Sequence, residues 1–511
     1  VGKPDCNLQP LVKFPLETFA MPKPTSIRPV PALLSVLAVV LFASLAFPQT
    51  AGNPPYPPSV EARIERIIQN LQPKGKPEGA SGKKSLAAQM THYKVPGVSI
   101  AVINGGKLEW ARGFGNRDSS GAAPVDVHTL FQAASLSKPV TALTVMRLRE
   151  QGRLGLDEDV NGYLQSWKVP AAVDWQPRLT LRQLLTHSAG LTVHGFSGYK
   201  KGQSLPTVRQ ILNGESPANS PAVKVDLLPG TRVRYSGGGT VVVQQVLVDV
   251  TGKPFPVLVD EALFGPLQLR RSTFEQPLLG RWGPNVALGH TNKGHAIEGG
   301  YHLYPELAAA GLWTTPTDLG TVLLEVQKAL RGGSSLLERT TAEEMLQPLP
   351  SHVSRSTALG FFLEGPEATK RFRHNGWNEG YVTKFEMYRQ GGMGAVVMTN
   401  SDAGHALIEE LLSAIAAEYQ WPDFDPAAYV DVSRQETEQL TGIYADDWNN
   451  QYQVRAGDNC LLLQYRHQHA IPLYKRADGG FKSKSLGFIV RFEKNFLILD
   501  HEGVKYTYRK K

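Results

Sequence analysis

Strand-forming sequence sits at the two ends of one long segment, with helix-forming sequence between them, and this order limits the chain to few architectures. Residues 98–103 (VSIAVI) and 108–114 flank the turn Asn104-Gly105-Gly106-Lys107, the pattern of a β-hairpin. Far downstream, 381–389 and 394–399 repeat it around Gly391-Gly392. Helical stretches lie between, at 181–187, at 241–250 ended by Gly252, and at 316–330, and a strong one at 403–419 follows the second hairpin. The expected fold class is therefore α/β: a sandwich of an antiparallel sheet flanked by helices, plus an all-helical subdomain. Residues 253–305 are rich in Pro and Gly with little periodicity, which reads as a functional segment or lid.

The flanks differ from this segment. Met21 opens a basic stretch with Lys23 and Arg28, followed by an apolar run over 31–47 and the small-residue site Ser44-Leu45-Ala46. This reads as a secretory signal peptide, predicting a periplasmic or secreted protein; an N-terminal membrane anchor is the alternative, although the run is short for a span. Residues 1–20 resemble nothing that follows. The Pro-rich stretch 47–58 is a linker, and from Ser59 an amphipathic helix carries Val60, Ile64, Ile67, Ile68 and Leu71 on one stripe. The expected organisation is an extension and signal over 1–46, linker and helix over 47–84, a catalytic domain over 85–420, a second linker over 421–439, and a small antiparallel β unit over 440–511. Strands at 452–454, 461–465, 488–492, 496–499 and 504–508 mark that last unit as a barrel or half-barrel.

Composition excludes several functions. The 511 residues carry a net charge of +8, but the charges are scattered with no basic run interleaved with aromatics, so nucleic acid is not an expected partner. Two cysteines, Cys6 and Cys460, supply neither a disulfide framework nor a cysteine zinc site, and the thirteen histidines show no metal-ligand spacing. No metal or other cofactor is assigned.

Chemistry concentrates at Phe131-Gln132-Ala133-Ala134-Ser135-Leu136-Ser137-Lys138-Pro139, read as a strand end running into a helix that begins near Ser135. Ser135 and Lys138 are one helical turn apart on one face. An amine kept neutral beside a serine hydroxyl can take its proton, so S-x-x-K can build an activated nucleophile. Alone, the pattern equally fits a polar helix cap with a solvated lysine. Four further segments accompany it in order: Leu184-Leu185-Thr186-His187-Ser188-Ala189-Gly190-Leu191, Pro229-Gly230 leading to Tyr235-Ser236, Ala310-Gly311-Leu312-Trp313-Thr314-Thr315-Pro316-Thr317-Asp318-Leu319, and His374-Asn375-Gly376. Together they resemble the class C β-lactamase and D-Ala-D-Ala carboxypeptidase family, which includes family VIII esterases. No G-x-S-x-G elbow points to an α/β-hydrolase.

The resemblance implies roles. Ser135 is the nucleophile and Lys138 the base, while Tyr235 is a second base that becomes phenolate if Lys138 stays cationic, the two titrating as a pair. The amides of Ser135 and Trp377 form the oxyanion hole, His374 and Gly376 line the cleft, and His187 and Asn375 support it. Two departures stand out. The family's Y-x-N is Tyr235-Ser236-Gly237 and its K-T-G is His374-Asn375-Gly376, so an amide and a carboxylate-reading cation are missing. Both losses weaken recognition of penicillins and D-Ala-D-Ala carboxylates while leaving the acylation chemistry. The expected function is a secreted serine hydrolase forming an acyl-enzyme on Ser135, carboxylesterase-like with weak β-lactamase activity. The expected substrates are small esters, β-lactams or short peptides. The alternatives are a D-stereospecific peptidase acting on wall-type peptides and a catalytically silent penicillin-binding or scaffold protein. The C-terminal unit resembles the lipocalin-like barrels that follow this domain in some relatives, where such a barrel can shape the cleft or build oligomers.

Overall fold

The computed structural model describes residues 52–511 apart from 72–82, 122, 172–173, 425–429, 448–449, 458–459, 466–469, 477–478, 484–487 and 502–503. The expected signal peptide lies outside the described residues. Among the described residues no helix is long and apolar enough to cross a membrane.

The two ends of the catalytic segment meet in one antiparallel sheet. Its strands are β1 (Gly97–Asn104), β2 (Lys107–Gly115), β5 (Thr357–Ala358), β6 (Phe361–Glu364), β7 (Arg371–Asn378), β8 (Tyr381–Tyr388) and β9 (Gly394–Thr399), while β3 (Phe131–Gln132) and β4 (Trp313–Thr314) form a separate pair. The order is β2-β1-β9-β8-β7-β6-β5, so the N-terminal hairpin joins the C-terminal strands through the β1–β9 ladder, with Ile100 opposite Val397. Alternation divides the apolar residues between two layers. Val396 and Met398 face the larger core with the helices Ser137–Glu150 and Pro316–Leu330. Ala395 and Val397 face a second core with Ile64, Ile67, Leu407 and Leu411. Being covered on both faces explains why β1 reads as a nearly continuous apolar run.

The helix expected from Ser59 spans Pro58–Gln69 and packs on the helix Gly404–Glu418. Arg63 and Arg66 pair with Glu418. Residues 253–305 contain more regular structure than their composition suggested. The helix Phe255–Val259 continues into a π turn, Asp260–Phe264, and Phe255, Leu263, Phe264 and Phe274 are buried in the main core. Their apolar spacing was obscured by short elements broken at Pro and Gly, so the first half of this segment is core and not a lid.

The C-terminal unit is a closed eight-stranded barrel: β10 (Gly442–Ala445), β11 (Gln451–Gly457), β12 (Cys460–Tyr465), β13 (Ile471–Lys475), β14 (Phe481–Lys482), β15 (Phe488–Glu493), β16 (Phe496–His501) and β17 (Val504–Lys510). The β10–β17 pairing closes it, and Leu461, Leu463, Leu473, Val490 and Leu497 fill the interior. On β14, Lys482 lies in the field of Glu364, Arg373, Lys384 and Glu409 of the catalytic domain.

Ile67 is 1% exposed between the first helix and the sheet. Ile67→Ala is expected to cost about 2–5 kcal/mol, read as a lower urea midpoint at unchanged slope.

Candidate active site

Ser135 sits in a single 3-10 turn, Ala134–Leu136, immediately ahead of the helix Ser137–Glu150. Ala134 takes φ +51°, a conformation that costs an L-residue about 1–2 kcal/mol. The turn is tied down on two sides. The Ala133 amide donates to Leu312 O (2.8 Å), and Thr383 Oγ1 donates to Ala133 O (2.9 Å). Ser137 Oγ donates to Ala134 O (2.5 Å) and accepts from the Leu312 amide (3.1 Å). Ser137 is fully buried and structural, consistent with its place off the Ser135–Lys138 face.

Lys138 Nζ donates to Ser135 Oγ (3.0 Å) and to Ala309 O (2.8 Å). It is 5% exposed, and burial lowers its pKa to about 7. Tyr235 shares a hydrogen bond with Ser135, its ring centroid is 4.9 Å from Lys138 Nζ, and burial pushes its phenol well above the ordinary value. The sequence reading allowed a lysine cation beside a phenolate. Burial acts against both charges, so the phenol rests neutral and the amine, neutral in a large fraction near pH 7, is the ready proton acceptor.

His187 fixes the segment that carries Tyr235. It follows the helix Leu181–Leu185 at φ +57°. Its carbonyl accepts from the Arg234 amide (2.8 Å) and its Nδ1 accepts from the Ser236 amide (3.2 Å). Ser236 then caps the helix Gly237–Thr251 through the Gly239 amide (2.9 Å). The rings of His187 and Tyr235 lie 4.3 Å apart.

On β7, alternation puts His374, Gly376 and Asn378 on one face and Asn375 and Trp377 on the other. The Asn375 side chain is exposed away from the His374 wall; its carbonyl accepts from His374 Nδ1 (2.7 Å). That bond makes Nδ1 the protonated nitrogen and Nε2 an acceptor. Burial holds His374 down at about 3, so it is neutral. Gly376 passes the Ser135 turn so closely that a Cβ would lie 2.4 Å from Ala133 O and 2.3 Å from Thr383 Oγ1. Asn378 Nδ2 donates to Gln132 Oε1 (2.8 Å) and Ala310 O (3.1 Å), locking the strand to the turn. The β6–β7 ladder ends at Arg373, which leaves one edge of 374–378 free of β6 and next to the Ser135 turn.

Two residues were missed by the sequence reading. His194, exposed, lies 4.9 Å from the Tyr235 ring, and Phe362 lies 5.3 Å from His374. Neither carries a spacing signal, since each reaches the site through a loop or a cross-strand neighbour. Among the described residues no cluster of His, Cys, Asp or Glu could hold a metal.

A serine bonded to a desolvated amine, a buried phenol across from it, and a strand segment with a free edge alongside are the parts that serine acyl transfer requires. The chain belongs to the Beta-lactamase family, whose model matches residues 83–419, and is a serine hydrolase of that family. Esterase EstB of Burkholderia gladioli is 26% identical over 350 residues, 60% of this chain and 86% of that protein. The structure of an octameric penicillin-binding protein homologue from Pyrococcus abyssi superimposes with a TM-score of 0.58 at 21% identity, over 83% of this chain and 98% of that one. A D-amino acid amidase from Ochrobactrum anthropi SV3 gives 0.53 at 20% identity, over 70% and 99%. These two share the fold.

With the Lys138 amine near pKa 7, its neutral fraction grows as pH rises through 7. Ester kcat/KM is expected to climb about tenfold per pH unit below that point and to level above it; a flat profile from about pH 5 to 9 contradicts this assignment of the base. Gly376→Ala is expected to push β7 off the nucleophile turn and to lower kcat/KM at least about 100-fold, with circular dichroism reporting that the fold is kept.

Proposed function

We propose that this chain hydrolyses carboxylic esters whose acyl groups carry no negative charge, through an acyl-enzyme on Ser135. Ser135 Oγ attacks the carbonyl carbon as its proton passes to Lys138 Nζ. The oxyanion is held by the amides of Ser135 and Trp377. The bond to the alcohol oxygen then breaks, and the proton returns from Lys138, with the Tyr235 hydroxyl alongside, to the departing alkoxide. Water attacks the acyl carbon and gives a proton to the same amine; the bond from that carbon to Ser135 Oγ then breaks, the proton passes from Lys138 to Oγ, and the acid leaves.

One observation carries the substrate class. The residue in the place of the family's cation is a neutral imidazole bonded through Nδ1 to Asn375 O, so Nε2 offers a lone pair and no charge. His187 is likewise held neutral by burial. A substrate carboxylate at this wall would lose its water and meet a neutral imidazole where the family has a cation. The similarity to an esterase over most of that protein's length supports the same reading. Hydrolysis of β-lactams, which present a carboxylate, follows as a weak side activity.

The test is a panel of p-nitrophenyl acetate, p-nitrophenyl butyrate, nitrocefin and a D-Ala-D-Ala peptide, run on wild type and Ser135→Ala. The esters are expected to have the highest kcat/KM, nitrocefin on the order of 100-fold lower, and Ser135→Ala to lose at least about 1,000-fold on each ester. Equal ester turnover by wild type and Ser135→Ala would falsify the acyl-enzyme, and a preference for nitrocefin or the peptide would overturn the substrate class.

A further inference from the structure

Trp377 is the most exposed large apolar side chain beside the site, with 63% of its surface open. An indole in solvent normally costs free energy and is free to turn. This one is pinned: its Nε1 donates to Asp402 Oδ1 (2.9 Å), which also accepts from the Gly380 amide (2.8 Å) at the turn after β7. The His405 ring stands edge-on at 6.4 Å. Trp377 directly follows Gly376, the point where β7 touches the nucleophile turn.

The edge of 374–378 that is free of β6 lies beside the Ser135 turn. A group lying along that edge has the His374 face of the strand on one side and the Trp377 face on the other. A rigid aromatic surface already held in place loses little conformational entropy on binding. We propose that the Trp377 indole is a specificity surface that selects esters carrying an aromatic group next to the reacting carbonyl, on the acyl or the alcohol side. This rests on the Ser135 reading and narrows it from neutral esters to aromatic ones. Because the Trp377 amide also serves the oxyanion, the indole's part is read as a ratio between two substrates within one variant, from which any change in absolute rate cancels.

The experiment compares kcat/KM for benzyl butyrate against ethyl butyrate, and for ethyl phenylacetate against ethyl butyrate, in wild type, Trp377→Ala, Trp377→Leu and Trp377→Phe. Wild type is expected to favour the aromatic ester in at least one pair. Trp377→Ala and Trp377→Leu are expected to lower that ratio about tenfold, chiefly through KM, and Trp377→Phe to keep most of it. If the Ala variant fails to fold, the Leu and Phe variants decide alone. Ratios within twofold of wild type in both pairs, while Ser135-dependent turnover persists, overturn this inference and leave the esterase reading standing. Absence of any Ser135-dependent ester turnover removes both.

Discussion

The site depends on an amine taken out of water without a counter-charge. Lys138 is buried against a hydroxyl and a backbone carbonyl, and among the described residues no carboxylate pairs with it. The same dry surroundings act on the buried titratable groups nearby. They lower His187 and His374 and raise Tyr235, so each of these is kept in its neutral form. A carboxylate placed beside Lys138 would recharge it and remove the base. The absence of acids here is thus as much a part of the chemistry as the presence of the lysine.

Such an amine stays in place only if the backbone around it cannot relax. The nucleophile turn is held from one side by the 308–312 backbone, which receives Lys138 and Thr141 and binds Ser137, and from the other by β7 and β8 through Gly376, Asn378 and Thr383. The left-handed Ala134 is a strained position that these contacts maintain, and the left-handed His187 is held by its bonds to Arg234 and Ser236. Two layers of helices fix the sheet in turn, one of them including the helix ahead of the family-matched segment.

The sequence disclosed what depends on local pattern. The hairpins at either end, the helix Pro316–Leu330 and the ordered motifs around Ser135, Lys138, Tyr235 and His374 follow from periodicity, turn residues and spacing. What needed coordinates was whatever depends on burial or on alternation across a strand. Charge on Lys138 and Tyr235 is set by desolvation, which spacing does not report. Asn375 and Trp377 lie beside His374 in sequence but point their side chains to the opposite face of β7. The barrel was legible from the five strands with clear alternation, whereas β10, β13 and β14, short or interrupted by Pro, were not read from the sequence.

The β1–β9 ladder has a consequence for synthesis. The most completely covered strand of the N-terminal hairpin has its second neighbour at Gly394–Thr399, close to the end of the catalytic segment. At ribosomal speeds of about 5–20 residues per second, the hairpin waits on the order of 15–60 s before that neighbour emerges. During that interval its unpaired, apolar edge is an aggregation hazard. The intervening helices and loops close onto the sheet as one long insertion, and closure entropy rises only logarithmically with its length. Loops within that stretch can therefore lengthen over evolutionary time at little entropic cost to the sheet, while the hairpin's dependence on late-arriving strands persists.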